Sequence, residues 1–120
     1  MRLLSEVGRK KSDDKPGLKV LTAGDMSGNL TSDAFTVQHT PIVCIQAVWS
    51  AGSTPVGTLQ LQGSVNGTDY FDVGSTVAVS GNTGTKQVTD ANAGYLFARL
   101  VYTRTSGSGT LNAWAEAKGF

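Results

Sequence analysis

The residues able to do chemistry are few and scattered. The chain carries one histidine, His39, and one cysteine, Cys44. His39 stands in Gln38-His39-Thr40-Pro41, a pre-proline setting that reads as a loop. Cys44 stands in the apolar run Ile42-Val43-Cys44-Ile45 and reads as a buried, inert thiol. One His and one Cys at this spacing make no metal site, and a lone cysteine makes no internal disulfide. Asp69 and Asp72 flank Tyr70-Phe71, and Asp25, Asp33 and Asp90 fall in or near predicted loops. Nothing in their spacing selects a general acid and base pair for glycoside hydrolysis. The nucleophile elbow G-x-S-x-G, the phosphate loop and the dinucleotide fingerprint are all missing from the sequence. Asn29-Leu30-Thr31 and Asn66-Gly67-Thr68 match the glycosylation sequon, but the second is better explained as a turn. These residues point to a protein that is not an enzyme, with no catalytic, cofactor or metal site and no small-molecule substrate.

Charge narrows the binding classes. The net charge is +1, too small to draw in nucleic acid or acidic lipid by its field. Half of the ten cations lie in the first 15 residues: Arg2, Arg9, Lys10, Lys11 and Lys15. Residues 1–17 lack any period-2 pattern and read as a basic arm, either solvated or ordered by a partner. Arg2, Arg9, Lys10 and Lys11 are its candidate anchors. The remainder holds five basic and six acidic groups, so direct nucleic-acid binding is not expected. No apolar run approaches the ~18 residues of a membrane helix. Residues 1–4 are too short for a signal core. Synthesis in a reducing cytoplasm is the expectation.

The elements that must position these residues are strands. Gly, Thr and Ser make up 40 of 120 residues, and the charged fraction of 16% is well under the usual ~25%. From Leu18 onward, short apolar runs are cut by turn residues every 8–12 positions, the signature of a sandwich or barrel. The fold class is therefore all-β. We expect a single antiparallel β-sandwich of jelly-roll type over residues 18–120, preceded by the extended arm 1–17. Strands are predicted over 18–23, 33–38, 42–50, 57–65, 69–73, 76–80, 85–89, 95–105 and 109–118. Leu59, Leu61, Val43, Ile45, Trp49, Leu100 and Leu111 are the predicted core. Asn66-Gly67 marks a hairpin between residues 59 and 72. A second hairpin is expected at Gly107-Ser108. It would place Leu100, Tyr102, Leu111 and Ala113 inward. On its outer face it would set Trp114 beside Val101, with Arg99 opposite Glu116 and Phe97 opposite Lys118. An apolar centre rimmed by opposite charges is interface anatomy. Trp114, Val101, Phe97, Arg99 and Glu116 are the candidate interface.

Two stretches carry a resemblance. One is Lys19-Val20-Leu21-Thr22-Ala23-Gly24-Asp25-Met26-Ser27-Gly28-Asn29-Leu30-Thr31-Ser32. The other is Arg99-Leu100-Val101-Tyr102-Thr103-Arg104-Thr105-Ser106-Gly107-Ser108-Gly109-Thr110-Leu111-Asn112-Ala113, with Ser64-Val65-Asn66-Gly67-Thr68-Asp69-Tyr70 between them. Together they resemble small bacteriophage virion proteins of the decoration, vertex or minor structural type, over roughly residues 18–118. The resemblance implies a non-catalytic capsid or tail role in the virion. The expected partners are copies of the chain, in a ring or trimer, and the major capsid protein. The alternative is a carbohydrate-binding, host-attachment sandwich of a tail or fibre, using Trp114, Tyr70 or Tyr95 against sugar rings.

Overall fold

The structure, a computed structural model, describes residues 2–3, 17–37 and 42–118. These residues form eight strands and no helix. They are β1 (Arg2–Leu3), β2 (Leu18–Asp25), β3 (Leu30–Thr31), β4 (Phe35–Thr36), β5 (Ile42–Ser64), β6 (Phe71–Val79), β7 (Gly84–Asp90) and β8 (Phe97–Lys118). The expected arm lies outside the described residues, apart from β1 and Gly17.

Two strands dominate. β5 has 23 residues and β8 has 22, and they run antiparallel along their whole lengths. At about 3.3 Å per residue a straight β5 would span roughly 75 Å. The longest dimension of the molecule is 40 Å. Both strands must therefore bend, and they bend together. The register shifts between Ser50 and Gly57 of β5, opposite Arg104 to Thr110 of β8. Ala51 and Thr54 take positive φ there, and so does Gly107. Bulges of this kind bend a strand and turn a corner. Pro55, which lacks an N–H, is tolerated at the bulge.

The corner divides the sheet into two leaves. In the first, residues 42–50 of β5 lie between β7 and residues 110–118 of β8, and β2 pairs with β8 at the edge. In the second, residues 57–64 of β5 lie between β6 and residues 97–106 of β8, with β3 and β4 beyond β8. β1 adds to β4 in parallel. Each leaf has one buried face. Val43, Ile45, Ala47, Trp49, Leu111, Ala113 and Ala115 line the first, and Leu59, Leu61, Ala98, Leu100 and Tyr102 line the second. All belong to one continuous core. The two faces cover each other, and the result is an all-β antiparallel sandwich. All seven predicted core residues are buried.

Three expectations are corrected. The segments 50–57 and 107–108 are not loops, and no hairpin forms at Gly107-Ser108. Gly, Ser and Pro residues there mark bulges within continuing strands. The facing clusters pair with each other, Ser53 with Ser108 and Val56 with Ser106. Likewise 69–73 and 76–80 are parts of one strand, β6, interrupted at Gly74, whose φ is +71°. The hairpin between β5 and β6 does form. Its connection is the six-residue segment 65–70, wider than a two-residue turn, and Gly67 takes the positive φ. The Asn66 Oδ1 accepts from the backbone N–H groups of Thr68 and Asp69, and Asn66 Nδ2 donates to Asp69. The amide that would carry a glycan is thus engaged in holding the turn.

Candidate functional site

The candidate interface does not exist as one patch. β8 alternates, so Phe97, Arg99, Val101, Trp114 and Glu116 all face away from the core as expected. The corner between them places Phe97, Arg99 and Val101 on the outside of the second leaf and Trp114 and Glu116 on the outside of the first. Val101 pairs with Gln60 and Thr31, whereas Trp114 pairs with Gln46 and Lys19. Arg99 lies opposite Gln62 and Glu116 opposite Cys44, so the expected Arg99–Glu116 pair is not formed. The same bend separates Phe97 from Lys118.

On the second leaf the predicted residues are largely engaged by their own chain. Arg99 Nε donates to Gln62 Oε1 at 2.8 Å, and its guanidinium lies 3.9 Å from the centre of the Tyr70 ring. The 65–70 connection folds over Ser64 and Phe97: the Gly67 N–H donates to Ser64 Oγ, and Gly67 packs on the Phe97 ring. What the sequence did not reveal is the exposed apolar side chains at this end. The large apolar side chains most exposed among the described residues are Val65 at 60%, Phe71 at 48% and Leu96 at 40%. Backbone pairing around Gly63 and Ser64 puts all three at one end of the second leaf. Phe71 pairs with Gly63, Val65 follows Ser64, and the Leu96 N–H donates to the Ser64 carbonyl at 3.0 Å. Phe71 meets Tyr95 edge to face with ring centres 6.2 Å apart. The carboxylates of Asp69 and Asp72 stand at the same end, held by Asn66 and Gln62.

On the first leaf Trp114 is half-buried in the floor of an open groove of about 490 Å³. Strand register lines up Gln87 of β7, Gln46 of β5, Trp114 of β8 and Lys19 of β2 in one row across all four strands. The Lys19 ammonium lies 5.0 Å from the Trp114 ring centre. Cys44 and Glu116 occupy the next row. Cys44 is half-buried and faces outward, a correction to the expected buried thiol: Val43, Ile45 and Ala47 take the inward positions, and alternation turns Cys44 out. Its sulfur accepts from Gln87 Nε2 at 3.1 Å.

The remaining candidates have structural partners. Asp90 accepts from the Tyr95 hydroxyl at 2.9 Å; burial, and then Asp90, push that phenol well above its ordinary range. Asp25 accepts from the Ser27 N–H, which holds its carboxyl below the usual value. Among the described residues, no three His, Cys, Asp or Glu side chains group as metal ligands. Of the arm anchors, Arg2 lies in β1 opposite Phe35. Arg9, Lys10 and Lys11 lie outside the described residues, as does His39.

No family model matches the chain, and no curated protein matches it. Among solved structures, the chain is similar to an isomalto-dextranase of Arthrobacter globiformis T6 complexed with panose, at 19% identity and a TM-score of 0.48. That likeness covers 87% of this chain and 20% of the other, so the chain spans about a fifth of that protein's length.

Proposed function

We propose that this chain is a non-enzymatic structural protein of a bacteriophage virion, a capsid decoration or vertex component that works through protein–protein contacts. The observation that carries the reading is the apolar end of the second leaf. Soluble monomers rarely leave large apolar side chains gathered in one patch. Here Val65, Phe71 and Leu96 are exposed, and all three stand at the Gly63–Ser64 end of the second leaf, as do Asp69 and Asp72. An apolar centre with a polar rim suits a subunit contact. In this reading the patch joins copies of the chain in a ring or trimer, the closed symmetry usual for self-contacts. The basic segment around Arg2, Arg9, Lys10 and Lys11 anchors the assembly to the major capsid protein. The resemblance over residues 18–118 supports the same reading.

Two measurements test it together. Native mass spectrometry of the full chain should give a closed oligomer, and proteomic analysis of purified phage particles should find the chain at many copies. Changing Val65 and Leu96 together to Ser should shift the oligomer towards monomer and leave the β circular dichroism spectrum in place. A chain that stays monomeric at all concentrations and is missing from particles would end this reading.

A further inference from the structure

We propose that the outer face of the first leaf binds a neutral pyranose unit of a glycan, stacked on Trp114 and hydrogen-bonded by Gln46, Gln87 and Glu116. This goes beyond the virion reading and does not rest on it. The row Gln87–Gln46–Trp114–Lys19 crosses four hydrogen-bonded strands. Neighbouring strands are about 4.8 Å apart, so successive side chains are spaced at about the width of one sugar ring. The groove volume of about 490 Å³ falls within the span common for small-ligand sites.

The side-chain types select the ligand. Each carboxamide offers a donor and an acceptor in one plane, which matches adjacent hydroxyls on a pyranose. Among the described residues the side chains of Gln46 and Glu116 form no hydrogen bond or ion pair, and both line the groove. An indole face takes the C–H side of a sugar, leaving the hydroxyls to the amides. A purely apolar ligand is disfavoured by this lining, and the Lys86 ammonium and the Glu116 carboxylate, both in it, offset each other in charge. A protein partner has its apolar anchor elsewhere, since Val65, Phe71 and Leu96 all belong to the second leaf's end. Lys19 covers the indole when the groove is empty. It is exposed, and an exposed cation–π contact is weak, about 0.5–1 kcal/mol. Its ammonium therefore moves aside easily and becomes a further donor at the ring's edge. The strands beneath are the central pair of the sheet, so the side chains are already placed before a ligand arrives.

The two tryptophans make the test direct, because Trp49 is buried in the core and Trp114 lies in the groove. The full chain is titrated with maltotriose, cellotriose and triacetylchitotriose, with trigalacturonate and a proline-rich peptide as the other arms, while tryptophan emission is read. The expected result is a saturable shift with one of the neutral trisaccharides, at a Kd of about 1 mM or tighter. Trp114→Ala should weaken it at least about tenfold, and Gln46→Ala and Gln87→Ala should each weaken it severalfold. The two glutamines are exposed, so their variants keep the test valid should Trp114→Ala fail to fold. A response to trigalacturonate or the peptide alone overturns the proposal. So does no saturable response to any neutral sugar, or binding that survives all three substitutions.

Discussion

Adding one methyl group at Gly84 should be unusually costly. Gly84 pairs with Trp49 across β7 and β5. A Cβ built on Gly84 would overlap the six-membered part of the indole, with Cε2 at 2.7 Å and Cη2 at 2.9 Å. The ring has nowhere to retreat. Trp49 is 2% exposed, and its Nε1 donates to the Gly81 carbonyl at 3.1 Å. Overpacking of a filled core costs about 1–3 kcal/mol. If the ring moves enough to lose the Gly81 bond, a further ~1 kcal/mol goes with it. Gly84→Ala should therefore destabilise by about 2–4 kcal/mol. For a chain of this size that lowers the melting temperature by roughly 6–20 °C. Thermal melts and urea midpoints by far-UV circular dichroism measure the loss. Near-UV circular dichroism in a Trp114→Phe background reports on Trp49 itself. Combining Gly84→Ala with Trp49→Phe frees room at the clash, so the double variant should lose less than the sum of the singles, by about 0.5–3 kcal/mol. A change within ~0.5 kcal/mol, the range of surface substitutions, would refute the packing of Gly84 under the indole.

Other expectations follow from the core, the corner and the buried phenols. Leu61 is 1% exposed, so Leu61→Ala should cost about 2–5 kcal/mol in urea unfolding; a loss under ~0.5 kcal/mol would put it outside the core. Thr54 holds a φ of +50°, a conformation that costs a non-glycine residue about 1–2 kcal/mol. Thr54→Gly should raise stability by about 0.5–1 kcal/mol once glycine's entropy is subtracted. Gly107→Ala on the facing strand should lower it, since its φ is +78° and its Cβ would meet the Thr54 backbone. The Tyr95 phenol is raised by burial and then by Asp90, and the Tyr102 phenol by burial. A raised phenol stabilises the fold fully below its unfolded pKa of about 10 and loses that contribution as pH climbs through the folded value. Urea midpoints should thus fall above roughly pH 10, and Tyr95→Phe should make that fall shallower; an unchanged slope would sever the link to Tyr95.

Local pattern was enough to settle which residues face the core. Val43, Ile45 and Trp49 alternate inward on β5, and Leu59 and Leu61 do so beyond the corner, because side chains on a strand alternate with period two. Even the mistaken hairpin put Leu100, Tyr102, Leu111 and Ala113 inward and Trp114 and Val101 outward. The inward set of β8 changes from even to odd numbers between Tyr102 and Leu111, and a tight turn and a bulge can both make that change. Sequence periodicity does not distinguish them. Ser50 to Gly57 and Arg104 to Thr110 have the composition of loops, yet each is the bend of a continuous strand. Only the pairing of one bend with the other shows this. That pairing joins residues 47 to 60 positions apart, so no local signal records it. It sends Trp114 and Val101 to opposite leaves and gathers Val65, Phe71 and Leu96 at one end. It also lines up Gln87, Gln46, Trp114 and Lys19 from four separate strands. Faces followed from the sequence through local backbone geometry; neighbours followed from the register of β5 on β8, which the packing of the whole sandwich selects.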